Sequence, residues 1–427
     1  MTMILAAFGL AFVQASNSRS AQELISEGIQ LVQQERLDEA ADRFRKASAA
    51  DPANADARND LGIVLRRQGK FADALAAFEA ARRLRPTEAR IHSNIGLALQ
   101  DMGRIAEALA AMEKAHSFEP QNATIRRNLG VLYWKVGEES QAEGNLKAAI
   151  PRFRKAVELA GDTYEPHQLL GSALLTDGDL DGAERELRRA IALQPQSGMA
   201  HRDLGIVLFR RERWEDSATE LQRAADLMPT DPAVHYNLGR VLQKSGRAPQ
   251  GAAELDKARA LNEKMQNVIQ AKSRNKTAEQ LLREDRFAEA ANVLHEALQL
   301  DPQNPDFHYN YGLALFGLNR LEQSISELKA SLALNAEQPD AYYYLGRAWL
   351  AEGQPAEAAR NLAETLKRNP RDARAHNVNA VALAATGQRD QARRELQSAM
   401  DLEPANTLFR DNLACLDGKT TGCELKP

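Results

Sequence analysis

Three carboxylates at alternate positions, Asp177, Asp179 and Asp181, stand just before Gly182 in the stretch LLTDGDLDGAERELRRAIAL, residues 174–193. Alternating acidic oxygens followed by a turn glycine are how a helix–loop–helix calcium site begins. Such a loop needs a bidentate carboxylate at its twelfth position, and counted from Asp177 that position is Arg188. The chemistry is incomplete. Asp179 or Asp181 is expected instead to cap a helix, where a carboxylate meets the positive end of the helix dipole.

Histidines raise the second question. His92, His167, His201, His235, His308 and His376, six of the eight, recur at one place in a repeated pattern. Zinc ligands must converge to about 2 Å from one ion. Equivalent positions on packed helices stand roughly 8–10 Å apart, so a half-buried packing role is expected and no metal site. HEALQ at 295–299 starts like a zinc-protease helix, but Gln299 stands where the second histidine is required. No phosphate-binding glycine loop and no nucleophile elbow are present, so no cofactor is expected. The two cysteines, Cys415 and Cys423, are too few for a disulfide-built fold. In an exported chain they would close one short loop.

The elements that position these residues are legible from an internal repeat. GIVLRRQGKFADALAAFEAARRLRP (62–86), GLALQDMGRIAEALAAMEKAHSFEP (96–120), GSALLTDGDLDGAERELRRAIALQP (171–195) and GIVLFRRERWEDSATELQRAADLMP (205–229) share one frame. Gly62 to Gly96 is 34 residues, as is Gly171 to Gly205. Twelve residues after each Gly comes a small residue (Ala74, Ala108, Ala183, Ser217), and four further on a large one (Phe78, Met112, Leu187, Leu221). Apolar residues at three and four spacing predict two antiparallel helices per unit. A second glycine such as Gly69 marks the turn, and a proline closes the unit. Neither helix can bury its apolar face alone, so each unit must stack on the next.

This pattern resembles the tetratricopeptide repeat, on the 34-residue period and the Gly, Ala, large, Ala, Pro order. Eleven units are expected, starting near 21, 55, 89, 123, 164, 198, 232, 271, 305, 339 and 373. Ala278 and Ala380 replace the usual Gly, and Ala336 the closing Pro. The fourth unit carries seven extra residues, around 138–144, which is two helical turns. Nothing breaks a helix across 252–284, where five more residues are inserted. The resemblance implies an all-α, right-handed α-solenoid of stacked antiparallel helix pairs. Its expected parts are a first arm at 16–264, a helical junction at 265–270, a second arm at 271–406, a capping helix at 407–416 and a tail at 417–427, with a bend at the junction.

The function expected from the resemblance is binding of proteins or extended peptides in the groove lined by first helices. Asn94, Asn128, Asn237 and Asn310 stand where asparagines of related repeats hold a peptide backbone. An amide suits that task because it both donates and accepts. Tyr309, Phe316, Tyr343 and Tyr344 are expected as an exposed aromatic patch on the same face. Two alternatives stay open: an accessory arm like that of O-linked sugar transferases, and an architectural protein that self-associates. A net charge of −4, from 55 basic and 59 acidic residues, gives no electrostatic reason to expect nucleic acid. The apolar run ILAAFGLAFV (4–13), followed by small residues to Ala15, suits a secretory signal at 1–15 and is too short to span a bilayer. An exported protein, periplasmic or extracellular and without membrane insertion after signal removal, is the expectation.

Overall fold

The computed structural model describes residues 20–419 and 423–427, so the expected signal segment lies outside them. Among the described residues the chain forms 22 helices and no strand. Ten of the eleven expected unit starts, from Ala21 to Ala373, are the first residue of a helix. The other, Ala271, lies inside a single helix, Ala248–Arg283, that joins the second helix of one unit to the first helix of the next without a break. The helix Thr407–Leu416 closes the series, burying Phe409, Asn412 and Leu416. Two compact units divide at Ala258–Arg259, within that long helix. None of residues 259–270 is buried.

Local signals explain where helices start and stop. Several first helices are capped by side-chain oxygens: Asn54 accepts from the Ala57 N–H, and Asp231 and Asp372 likewise accept from the first turn. The residue two before each second helix takes a left-handed turn. Gly69 does so at φ 75°. Glu35, Glu212, Asp285 and Asn319 take the same conformation at 59°, 61°, 56° and 58°, which L side chains adopt only at some cost.

Within each pair the helices cross at one close contact. A Cβ added to Gly62 would lie 2.5 Å from the Phe78 ring, and Phe78 is fully buried. The same meeting, sixteen residues apart, recurs at Gly28–Phe44, Gly137–Phe153, Gly171–Leu187, Gly205–Leu221, Gly239–Leu255, Gly312–Leu328 and Gly346–Leu362. Where alanine replaces the glycine the residue sixteen on is a leucine, Leu294 after Ala278 and Leu396 after Ala380. The large partner is a phenylalanine only where the first helix contributes no Cβ. In two pairs a serine four residues before that leucine also donates its hydroxyl to the glycine carbonyl, Ser217 to Gly205 and Ser324 to Gly312, both at 2.7 Å.

The fourth pair shows how the insertion is absorbed. Its first helix, Ala123–Ala142, has 20 residues where those before and after it have 13 and 14, while its second, Leu146–Ala160, has 15. The extra two turns therefore belong to the first helix alone. Gly130, the glycine in repeat register, packs against Ala160, and Gly137 makes the contact with Phe153. The hydrophobic core divides at this pair. Ile125, Leu129 and Leu132 bury with the preceding units. Ala149 and Phe153 bury with the following ones.

Gly62→Ala should lower stability by about 1–2 kcal/mol, despite a helix-propensity gain of up to about 1 kcal/mol, because the added methyl overpacks a fixed ring. Combined with Phe78→Leu, the pairing of the eighth and eleventh units, it should cost less than the two single changes summed. Urea melts of the four proteins check this, and strict additivity would remove the crossing contact as the cause.

Candidate functional site

Within each compact unit, several pairs of consecutive first helices touch, among them Ala55–Arg67 with Ala89–Asp101 and Pro305–Gly317 with Pro339–Ala351. At their contact the residue three before the repeat glycine meets the residue two before it in the next unit, 35 residues on. Asn94 Nδ2 donates to Asn59 Oδ1 at 2.8 Å, Asn310 to Asn275 at 2.9 Å, and Asn412 to Asn377 at 2.7 Å. The Tyr309 and Tyr344 rings fill the equivalent place, with centroids 6.2 Å apart. Asn59, Asn275, Asn377 and Asn412 are thus site residues that reading by the 34-residue frame passed over. Their signal is a 35-residue spacing between asparagines. Of the expected asparagines, Asn94, Asn128 and Asn237 are half-buried. Asn237 lines a cleft of 330 Å³ with Phe209, Arg210 and Arg240. Asn310 is more buried than these, 8% exposed, with its amide turned against Asn275.

The four aromatics do gather. Tyr344 makes edge-on contacts with Tyr309, Phe316 and Tyr343, at centroid distances of 6.2, 6.3 and 5.1 Å. Their exposure differs from the expectation. Tyr343 is 5% exposed and packs inward with Leu362 and Val378. Its position, three before Gly346, is the one that turns toward the following unit. Tyr309, Phe316 and Tyr344 are half-buried beside Leu328 and Leu345. Burial raises the Tyr309 and Tyr343 hydroxyls above their ordinary range, so both stay protonated. The Arg347 guanidinium covers the cluster, 5.1 Å from the Phe316 centroid and 5.7 Å from those of Tyr343 and Tyr344. Beside Tyr309 a cleft of 150 Å³ is lined by Asp306, Gln338 and Asp340.

Each repeated histidine is committed within its own unit. Nδ1 faces a glutamate nineteen residues on, in the second helix: His167–Glu186 at 2.8 Å, His201–Glu220, His235–Glu254 and His308–Glu327 at 2.6 Å, and His376–Glu395 at 2.5 Å. Nε2 donates to the carbonyl of the proline six residues earlier in His201, His235, His308 and His376, at 3.0–3.1 Å. His92 makes the proline contact alone, to Pro86 at 2.8 Å. The histidine ties the closing proline, the first helix and the second helix together. A ring with both nitrogens so engaged has no lone pair to offer a metal.

The carboxylates at 177–181 resolve into the turn of a helix pair. Gly178 is left-handed at φ 95°, and Asp179 caps the second helix by accepting from the Gly182 N–H at 2.9 Å. Asp181 pairs with Arg211. Nearby Glu184 is buried among Arg188, Arg211 and Arg213, which hold its carboxyl below the usual range against the opposing effect of burial.

Cys415 and Cys423 are bridged, with Cα atoms 5.8 Å apart. Beyond the bridge the tail lies as an extended segment against the last first-helix rung. Asn412 accepts from the Lys426 N–H at 2.9 Å and donates to its carbonyl at 2.8 Å, and Asn377 donates to that carbonyl at 3.1 Å.

Models of the tetratricopeptide repeat match residues 25–89, 94–163, 137–197 and 169–232, again 232–257, and again 281–350 and 349–413. These matches cover most of the chain, which belongs to the tetratricopeptide-repeat family. Its fold is the all-α repeat solenoid, a scaffold for protein interaction. No curated protein matches it. Among solved structures it is similar to the Cut9–Hcn1 hetero-tetramer of the APC/C, at 11% identity over 97% of this chain and 99% of that one, TM-score 0.32. It is similar to YrrB, described as a TPR protein with an unusual peptide-binding site, at 18% over 55% and 98%, TM-score 0.29. It is also similar to PilF of Pseudomonas aeruginosa, at 22% over 51% and 96%, TM-score 0.32. Likenesses at such scores carry nothing further about this chain.

The His376 bridge makes stability pH-dependent. The hydrogen bond to Glu395, followed by the Pro370 carbonyl, raises the His376 pKa above its ordinary value against the effect of burial. A raised folded pKa stabilises fully below the unfolded value, about 6.5, and that contribution is lost as pH rises through the folded one. The melting-temperature advantage of the natural protein over His376→Gln should therefore shrink from pH 6 to pH 8.5. An advantage that grows over this range would reverse the assignment.

Proposed function

We propose that this chain is a non-catalytic scaffold that captures extended segments of partner proteins on its first-helix face, anchored at Tyr309, Phe316 and Tyr344. The observation that carries this reading is Arg347. Its guanidinium lies over three rings, and among the described residues no carboxylate pairs with it. An arginine held flat on aromatic rings keeps its N–H edges free for a planar acceptor. The partner segment accordingly presents an apolar side chain to the ring edges and a carboxylate to Arg347. The non-catalytic part of the reading is supported by what the side chains already do. The repeated histidines, Asp179, Asp181 and Glu184 are engaged in holding helices together.

The binding test is Tyr309→Ala with Tyr344→Ala, scored by retention of partners from an extract and by helical content. Truncating such anchors costs about 2 kcal/mol or more, roughly thirtyfold in affinity. Partner loss with helicity intact is expected. Unchanged retention of every partner would place the anchor elsewhere.

Export belongs to the same reading. The apolar run at 4–13 and the Cys415–Cys423 bridge support it, since disulfides persist outside the reducing cytosol. Intact-mass measurement of the native protein should find an N-terminus near Ser16. A native form retaining Met1 would count against export.

A further inference from the structure

Residues 423–427 are held by a main-chain grip that, among the described residues, no other rung displays. Asn412 engages both the N–H and the carbonyl of Lys426, and Asn377 adds a second donor to that carbonyl. One residue earlier, Leu425 packs against Ala380, Leu383 and Leu413. Recognition is therefore of two kinds: an apolar pocket for one side chain, and an amide pair for the backbone of the next residue. The lysine side chain takes no part in the grip. Both asparagines are 2% exposed beneath the tail, whereas Cys423, Glu424, Lys426 and Pro427 are exposed. The site is thus covered by a segment that itself lies open to solvent. A cleft of 480 Å³ beside it is lined by Val381, Ala384, Arg389 and the two bridged cysteines.

We propose that the face formed by the helices Ala373–Ala385 and Thr407–Leu416 is a second peptide site, taking an extended segment that presents a leucine followed by a free backbone N–H and C=O. The chain's own tail occupies it, and the Cys415–Cys423 bridge is the clasp that keeps it shut. The occupant in trans is a partner polypeptide with the chemistry of the tail. This goes beyond capture at the aromatic cluster and does not depend on it. The bridge spans a sequence separation of eight and has its exposed half at Cys423. A dithiol opens it by supplying two electrons and two protons, leaving as its own cyclic disulfide and yielding two thiols. Removing a cross-link over so short a loop frees the tail by roughly eightyfold on the chain-entropy relation. The tail then competes with outside segments only through its tethered effective concentration.

The test uses the full chain and a fluorescent peptide of residues 420–427 carrying Cys423→Ser. Its binding is read by polarisation to the oxidised protein, to the same protein reduced with dithiothreitol, and to the full-length double variant Cys423→Ser/Leu425→Asp. The double variant removes clasp and anchor from an exposed tail and leaves the helices untouched. We expect little binding to the oxidised form and at least tenfold tighter binding once reduced. The double variant should bind tightest, and adding Asn412→Leu to it should lose tenfold or more. Equal binding to oxidised and reduced protein would overturn the clasp. No binding to a double variant that keeps its helicity would overturn the site itself. Neither result bears on partner retention at Tyr309 and Tyr344, so the two readings fail separately.

Discussion

The fold depends on how closely two helices can approach at one residue per pair. At Gly62 the backbone lies against the Phe78 ring with no room for a Cβ, and seven further pairs repeat that meeting with phenylalanine or leucine. The crossing point fixes the distance between the helices, the distance fixes which side chains interdigitate, and that decides which faces are left for the neighbouring unit. Phenylalanine occurs at this crossing only opposite glycine, while leucine occurs opposite glycine and opposite the alanines Ala278 and Ala380, so the largest partner is confined to the first helices that contribute no Cβ.

Around that crossing, polar chemistry is recruited to hold angles. In four units the histidine near the start, His201, His235, His308 or His376, reaches back to a proline carbonyl and forward to a glutamate, so one side chain reads both the entry of the first helix and the flank of the second. Side chains that could serve as ligands or bases in isolation, such as His201, His235, Asp179 and Glu184, are here engaged by structural partners.

Much of this was legible from the sequence. The period, the helix starts, the fused helix after Ala248 and the cap by Asp179 follow from glycine, proline and apolar spacing, which report backbone geometry directly. What escaped was contact between units. Neighbouring first helices do not meet at equivalent positions but one residue out of step, so Asn59 meets Asn94 and Tyr309 meets Tyr344 at 35 residues rather than 34. That offset turns Tyr343 inward and buries Asn310, and no frame based on the repeat length alone would place them so. The glutamates nineteen residues after the histidines, and the tail gripping Asn412, also join positions that periodicity does not link.

The long first helix of the fourth pair also divides what it holds together. Ile125 and Leu129 belong to the core before it, while Phe153, which Gly137 of the same helix meets, belongs to the core after it. One pair is thus shared by two cores, and its extra two turns, about 10 Å of helix, are the length over which the chain passes from the one to the other.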